Sequence, residues 1–115
     1  MNDLIVTLFE ESREDIKIQI YARITENSEL MLDGVDSGDL VERLKGDWDY
    51  EYYLTVDKSS KELLINKLRN RNIQIIDDEA LLNWIKANYS GNSAFSSFKA
   101  FLTSEKIEFK MDFWI

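Results

Sequence analysis

The sequence predicts an α+β domain, with a mostly antiparallel sheet of about five strands and helices packed on one face of that sheet. Two observations predict this class. Alternating apolar and polar residues mark strands in the first half of the chain, and helical periodicity dominates the second half until a last alternating segment. Strands that alternate have one face to bury, and helices that follow them can cover it. The 115 residues are the length of one domain, so we expect a single unit over 1–115.

The first three strands are predicted from short apolar or alternating runs. Segment 4–11, LIVTLFEE, is an apolar run that ends in acids. Segment 15–24, DIKIQIYARI, alternates cleanly, and segment 28–34 follows a short polar turn, which is typical of a hairpin. The face of segment 15–24 opposite its isoleucines carries Lys17, Gln19, Tyr21 and Arg23.

A short helix and an aromatic strand are predicted next. Segment 36–46, DSGDLVERLKG, offers Asp36 or Ser37 as N-cap and Gly46 as a stop, which predicts the helix. Segment 46–56, GDWDYEYYLTV, predicts a strand whose buried face holds Tyr50, Tyr52, Leu54 and Val56. The opposite face of that strand then holds Glu51, Tyr53 and Thr55. All the glycines of the chain stand in turn-like contexts.

The second half predicts three helices and a further strand. Ser59 and Glu62 have the spacing of a capping box and open the first helix. Segment 77–90 has acids in its first turn, where the helix dipole favours them, and segment 91–106 adds a third helix behind a polar cap. Segment 106–115, KIEFKMDFWI, alternates again and predicts a strand with a buried face of Ile107, Phe109, Met111 and Phe113.

Charge and composition restrict the partners. The formal net charge is −8, and it is uneven: residues 1–57 carry a net −10 and residues 58–115 a net +2. This acidity disfavours nucleic acid and anionic membranes as partners. No apolar run is long enough to cross a membrane, no signal peptide is visible and cysteine is absent, so we expect a cytoplasmic protein without disulfides.

The residue inventory argues against an enzyme or a metal site. The chain has neither histidine nor cysteine, so a Ser-His-Asp triad, a thiol nucleophile and a Cys-ligated zinc cannot form. Asp33, Asp36 and Asp39 recur at three-residue spacing, but a calcium loop needs a closing acid where Leu44 stands. We therefore predict no catalysis, no cofactor and no metal. A small carboxylate-dependent enzyme or ligand-binding domain is an alternative, which would need a deep pocket with convergent acids.

The acidic N-terminal half has two interpretations. The simpler one is solubility, with the tyrosines of segment 46–56 serving the core. The other is a surface for a basic protein partner, because tyrosine gives contact area at low entropy cost and carboxylates attract Lys and Arg. The residues predicted to bind that partner are Asp33, Asp36, Asp39, Asp47, Trp48, Asp49, Glu51, Tyr53 and Asp57.

The chain as a whole resembles immunity proteins of bacterial toxin–immunity pairs, such as those of contact-dependent growth inhibition. The resemblance lies in a small, acidic, single-domain chain without catalytic residues. Three segments, GDWDYEYYLTVD, GNSAFSSFKAF and IEFKMDFW, are similar to stretches of small bacterial proteins. The resemblance implies a cytoplasmic protein that binds and neutralises a toxin, and toxins that cleave nucleic acid are usually basic. The alternative is a regulatory or adaptor domain, unrelated to toxins, that binds another protein through the same surface.

Overall fold

A computed structural model describes residues 4–38 and 49–114 of the chain. These residues form a five-stranded antiparallel sheet with three helices packed against it, which confirms the predicted α+β class. The strands are β1 (Leu4–Arg13), β2 (Ile16–Ile24), β3 (Leu30–Ser37), β4 (Asp49–Val56) and β5 (Lys110–Trp114). The helices are α1 (Lys58–Asn70), α2 (Asp78–Asn88) and α3 (Ala94–Ser104), which lie between β4 and β5 in the chain.

The sheet is a meander in which each strand pairs with the next, in the order β1-β2-β3-β4-β5. The predicted hairpin of the second and third strands is confirmed, with Ile24 opposite Leu30 beside the turn. β1 has an irregularity between Thr7 and Phe9 that leaves Leu8 as an extra residue. The Leu8 carbonyl accepts a hydrogen bond of 3.1 Å from the N–H of Gly91. This contact ties the edge strand β1 to the loop that precedes α3.

The core lies between the helices and one face of the sheet. Helix α2 lies against β1 and β2. The strand residues that point into the core and have no exposed surface are Ala22, Leu30, Leu32, Leu54 and Val56. The spacing of the apolar residues in the helical segments predicts stripes that face the core. Their members Leu64, Leu68, Leu81, Ile85, Phe95, Phe98 and Leu102 are buried, as predicted. Tyr89, predicted to continue the stripe of Leu81 and Ile85, is only half-buried because it is the C-cap of α2.

The helix N-termini depart in part from the predicted caps. Asp57, the residue directly after β4, is the N-cap of α1, and its Oδ1 accepts a hydrogen bond of 2.8 Å from the N–H of Ser60. The predicted cap Ser59 is wrong, because the helix starts as soon as the chain leaves the sheet and Ser59 already lies inside it. The acids predicted in the first turn of α2 are confirmed as Asp78 and Glu79.

Two predictions around β3 are wrong. Asp36 and Ser37 are the last residues of β3 rather than helix caps, and the rest of the predicted helix, 39–46, lies outside the described residues. Gly34 lies inside β3 rather than in a turn. A Cβ atom at Gly34 would come within 1.9 Å of the Tyr52 ring, so glycine is needed there for the close approach of that ring.

The last strand is shorter than predicted and less buried. Ile107 is buried but precedes β5, which begins at Lys110. Phe113 is 58% exposed, so its prediction as a core residue is wrong. Because β5 is an edge strand, the Phe113 ring has a neighbouring strand on one side only, where its centroid lies 6.4 Å from that of Tyr50.

Candidate protein-binding face of the sheet

The candidate site is the sheet face that points away from the helices, here called the open face. None of the described helices packs on it, since all three contribute to the single core cluster on the other face. Its side chains are half-buried or exposed, as expected for a sheet surface that meets solvent. From β1 to β5 the register places on it Ile5, Thr7, Glu10, Ser12, Lys17, Gln19, Tyr21, Arg23, Met31, Asp33, Val35, Ser37, Glu51, Tyr53, Thr55, Lys110 and Asp112.

Three of these side chains stand directly opposite one another on neighbouring strands. Asp33 of β3 pairs with Tyr21 of β2 on one side and with Tyr53 of β4 on the other. We call these residues the Tyr21–Asp33–Tyr53 row. Side chains opposed in this way have Cβ atoms about 4.5–5.5 Å apart. Asp112 of β5 is the partner of Tyr53 and extends the row toward the sheet edge.

An arginine from β2 is paired with the central carboxylate. The Nε of Arg23 lies 2.6 Å from Oδ2 of Asp33, and the two side chains are 24% and 16% exposed. The Nη2 of Arg23 is also 3.2 Å from the sulfur of Met31. Asp33 Oδ1 is buried and has no hydrogen-bond partner among the described residues. The carboxylate is thus half-satisfied: one oxygen is held by a guanidinium and the other is unused.

Tyr53 is bonded to a second carboxylate on the same strand. Its hydroxyl donates a hydrogen bond of 2.6 Å to Oε2 of Glu51. That bond, burial and the charges of Glu51 and Asp33 together raise the pKa of Tyr53 to about 12, although Arg23 opposes the shift. The phenol therefore stays protonated at neutral pH. It presents an uncharged aromatic surface beside two carboxylates.

Asp36, another predicted site residue, belongs to the opposite face. It is three residues beyond Asp33 in β3, so the alternation of a strand turns it toward the helices. Its Oδ1 accepts a hydrogen bond of 3.3 Å from the hydroxyl of Tyr52, and burial followed by the Asp36 charge raises the pKa of Tyr52. Asp33 and Asp36 therefore cannot contribute to one surface, nor can both bind one ion.

Asp57 lies away from the open face, at the start of α1. Its hydrogen bond with Ser60 lowers the pKa of its carboxyl, so the negative charge already has a role at the helix N-terminus. It also lines a cleft of about 620 Å³ at the end of the sheet. The other residues that line this cleft are Glu29, Thr55, Thr103, Lys106, Ile107, Glu108, Phe109 and Lys110.

The chemistry of this cleft is mixed. Three acids and two lysines line it, and the carboxylate of Glu29 accepts a hydrogen bond of 3.3 Å from the hydroxyl of Thr25. Two of its acids, Glu29 and Asp57, are thus already engaged by neighbouring donors. The acids that line the cleft are Glu29, Asp57 and Glu108.

The remaining predicted residues lie in or beside the undescribed segment. Asp39, Asp47 and Trp48 lie outside the described residues. Asp49 is the first residue of β4 and pairs with Ser37. Of the nine predicted residues, the structure therefore brings Asp33, Glu51 and Tyr53 together on the open face.

Two residues of this site, Tyr21 and Arg23, are absent from the predicted set. Burial and the charge of the Glu10 carboxylate raise the pKa of Tyr21. The alternation of β2 puts both residues on its polar face, and that signal is readable in the sequence. The missing information is the register, which sets Tyr21 opposite Asp33 and brings Arg23 against it.

The comparisons with known proteins leave the family open. No protein-family model, no curated protein and no solved structure matches this chain. Within the described ranges, no helix is both long enough and apolar enough to cross a membrane. Any functional conclusion therefore depends on the geometry and charge of the open face.

Proposed function

We propose that this protein is a non-catalytic immunity protein that binds a basic bacterial toxin of the nuclease type in the cytoplasm and neutralises it. We assign the contact surface to the open face. The observation that carries the proposal is the Tyr21–Asp33–Tyr53 row at the centre of a sheet face on which no described helix packs. Tyrosine and carboxylate side chains together suit the capture of Lys and Arg from a partner.

The size of the open face supports a protein as the partner. Neighbouring strands are about 4.8 Å apart and residues rise about 3.3 Å each. The five strands, with eight residues in β3 and β4, therefore cover roughly 500 Å² in projection. Specific protein complexes bury about 800 Å² on each partner, so this face with its rim is of the right order.

The charge of the N-terminal half of the chain supports a basic partner, and on the open face the acids Glu10, Asp33, Glu51 and Asp112 outnumber the bases Lys17, Arg23 and Lys110 by one. Described residues up to Asp57 hold eleven acids and three bases, whereas residues 58–114 hold seven acids and nine bases. A nuclease must carry positive charge to hold phosphates, and an acidic surface can occupy the same groove. Complementary charge also speeds the encounter of the two proteins.

The test is capture of the partner from the source cell with the tagged full-length chain, at low and moderate salt. We expect stoichiometric recovery of a basic toxin domain, weakened by salt, and inhibition of its activity by the purified protein. The variant Glu51→Lys/Asp112→Lys reverses two open-face charges and should reduce capture at least tenfold. The matched control Glu62→Lys/Glu79→Lys, on α1 and α2, should leave capture within twofold of the wild type.

Two results would count against the proposal. Equal capture by both double variants would remove the open face as the contact surface. Recovery of a regulator with no toxic activity would replace the immunity function by that of an adaptor domain that uses the same surface.

A further inference from the structure

The carboxylate of Asp33, at the centre of the open face, can accept one more hydrogen bond. Oδ1 of Asp33 is buried and has no partner among the described residues, while Oδ2 is held by Arg23 at 2.6 Å. Buried polar oxygens are nearly always hydrogen-bonded, because an unpaired one has lost its hydration without compensation. A donor from another molecule that reached Oδ1 would recover that loss.

The neighbouring donors are directed elsewhere. The hydroxyl of Tyr53 donates to Glu51, and the Nη2 of Arg23 contacts the sulfur of Met31. On the other side, Tyr21 stands directly opposite Asp33 in the register but does not donate to Oδ1. The Asp33 carboxylate therefore lies between two tyrosines, and neither tyrosine hydroxyl donates a hydrogen bond to Oδ1.

We propose that Oδ1 of Asp33 accepts a hydrogen bond from an arginine side chain of the protein partner, which inserts between Tyr21 and Tyr53. This inference rests on the proposed function, because it names the group by which the basic partner is recognised. A guanidinium suits the position better than an ammonium, since it is planar, weakly hydrated and able to stack on aromatic rings. The sheet already accommodates one guanidinium, that of Arg23, on the other oxygen of the same carboxylate.

Asp33 is flanked on the open face by Tyr21 and Tyr53, so a donor can approach its carboxylate from that face. The side chains around it belong to the open face, on which no described helix packs. Rotamer changes of such surface residues take picoseconds to nanoseconds, so they do not limit binding. The backbone of β2, β3 and β4 can remain paired throughout.

The test uses the full-length protein and a blocked tripeptide, acetyl-Gly-Arg-Gly-amide. Its twin carries citrulline, which has nearly the same shape as arginine but no charge. Backbone amide shifts are followed by NMR during titration with each peptide. We expect the arginine peptide to shift the amides of Tyr21, Asp33 and Tyr53 in a saturable manner, and the citrulline peptide to bind at least tenfold more weakly.

Three variants locate the effect. Asp33→Asn keeps the size of the side chain and should raise the Kd of the arginine peptide at least tenfold. Glu62→Gln makes the equivalent carboxylate-to-amide change on α1, away from the open face, and should leave the Kd within twofold. Arg23→Gln removes a competing positive charge and frees Oδ2, so the Kd should fall. If Asp33→Asn unfolds the protein, the Arg23→Gln result alone decides, because a Kd that is unchanged or higher in that variant contradicts the proposal.

The failure of this inference is distinguishable from failure of the proposed function. If wild type and Asp33→Asn capture the toxin equally well, the immunity function stands and the role of Asp33 is wrong. If the arginine peptide binds at Asp33 but no toxin is captured, the arginine site stands and the immunity function is wrong. Equal binding of the arginine and citrulline peptides would overturn the arginine site directly.

Discussion

The two faces of the sheet are built from the same strands but differ in how deeply their side chains are buried. On β3, Leu30 and Leu32 have no exposed surface, while Met31 and Asp33, one position further along in each case, lie half-buried on the open face. The helix-side face is held by close packing, which tolerates little change. The open face is held mainly by pairs across strands, such as Arg23 with Asp33. Stability is therefore concentrated on one face, while the side chains of the other are half-buried or exposed to solvent.

The comparison predicts the largest stability loss from a core leucine. Leu32→Ala removes a fully buried side chain and should lower the free energy of unfolding by about 2–5 kcal/mol. Met31→Ala, the adjacent residue on the open face, should cost less than about 1 kcal/mol. Urea unfolding followed by circular dichroism measures both. Equal losses would mean that the open face is packed as tightly as the core.

The ion pair between α1 and α2 should give the next largest effect. Lys61 is 4% exposed, and its Nζ lies 2.8 Å from Oδ1 of Asp78. Asp78→Asn leaves this buried ammonium without its counter-charge and should cost about 1–3 kcal/mol, because Asp78 itself is partly exposed. Lys61→Met removes the buried charge and should stay within about 1 kcal/mol of the wild type. A greater loss for Lys61→Met than for Asp78→Asn in the same urea assay would contradict this account.

The N-cap of α1 should give a smaller, pH-dependent effect. Asp57→Ala removes the acceptor of the Ser60 N–H, and its stability loss should exceed that of Ser59→Ala, since Ser59 lies inside the helix. The pKa of Asp57 is lowered in the folded state, so its contribution is present above the unfolded pKa of about 3.9 and is lost as pH falls through the folded value. The difference in unfolding free energy between wild type and Asp57→Ala should thus be constant near neutral pH and shrink below about pH 4. A difference that grew on acidification would mean that the carboxylate is not stabilised there.

The smallest effect on stability should come from Tyr53→Phe. This change removes the hydrogen bond to Glu51 on the open face and should cost less than about 1 kcal/mol, because the Glu51 carboxylate can accept a hydrogen bond from water instead. Urea unfolding measures the loss, with Tyr53→Ala as the companion that also removes the ring. If Tyr53→Phe proved as costly as Leu32→Ala, the distinction between the two faces would fail.

The structure brings only part of the predicted surface onto one face of the sheet, and the reason is that local alternation is visible in the sequence whereas strand length and pairing are not. Glu51 and Tyr53 were correctly assigned to one face because the alternation of β4 is local and visible in the sequence. Asp36 was grouped with Asp33 because segment 33–39 resembles a turn before a helix, whereas β3 continues to Ser37 and turns Asp36 to the other face. Arg23 and Tyr21 were missed because cross-strand pairing was not available from local pattern.

The sequence by itself determined the fold class, the strand faces of β2 and β4, most of the buried stripes of the helices and the acidity of the N-terminal half. These features depend on near neighbours and on composition, which any stretch of the chain displays. Only the tertiary structure decided the meander order, the placement of β5 beside β4 and the register that sets Asp33 between Tyr21 and Tyr53. Residues 33 and 53 are separated by a segment whose local pattern says nothing about pairing. Their juxtaposition is fixed instead by the hydrogen-bond ladders of three strands and by the burial of the opposite face.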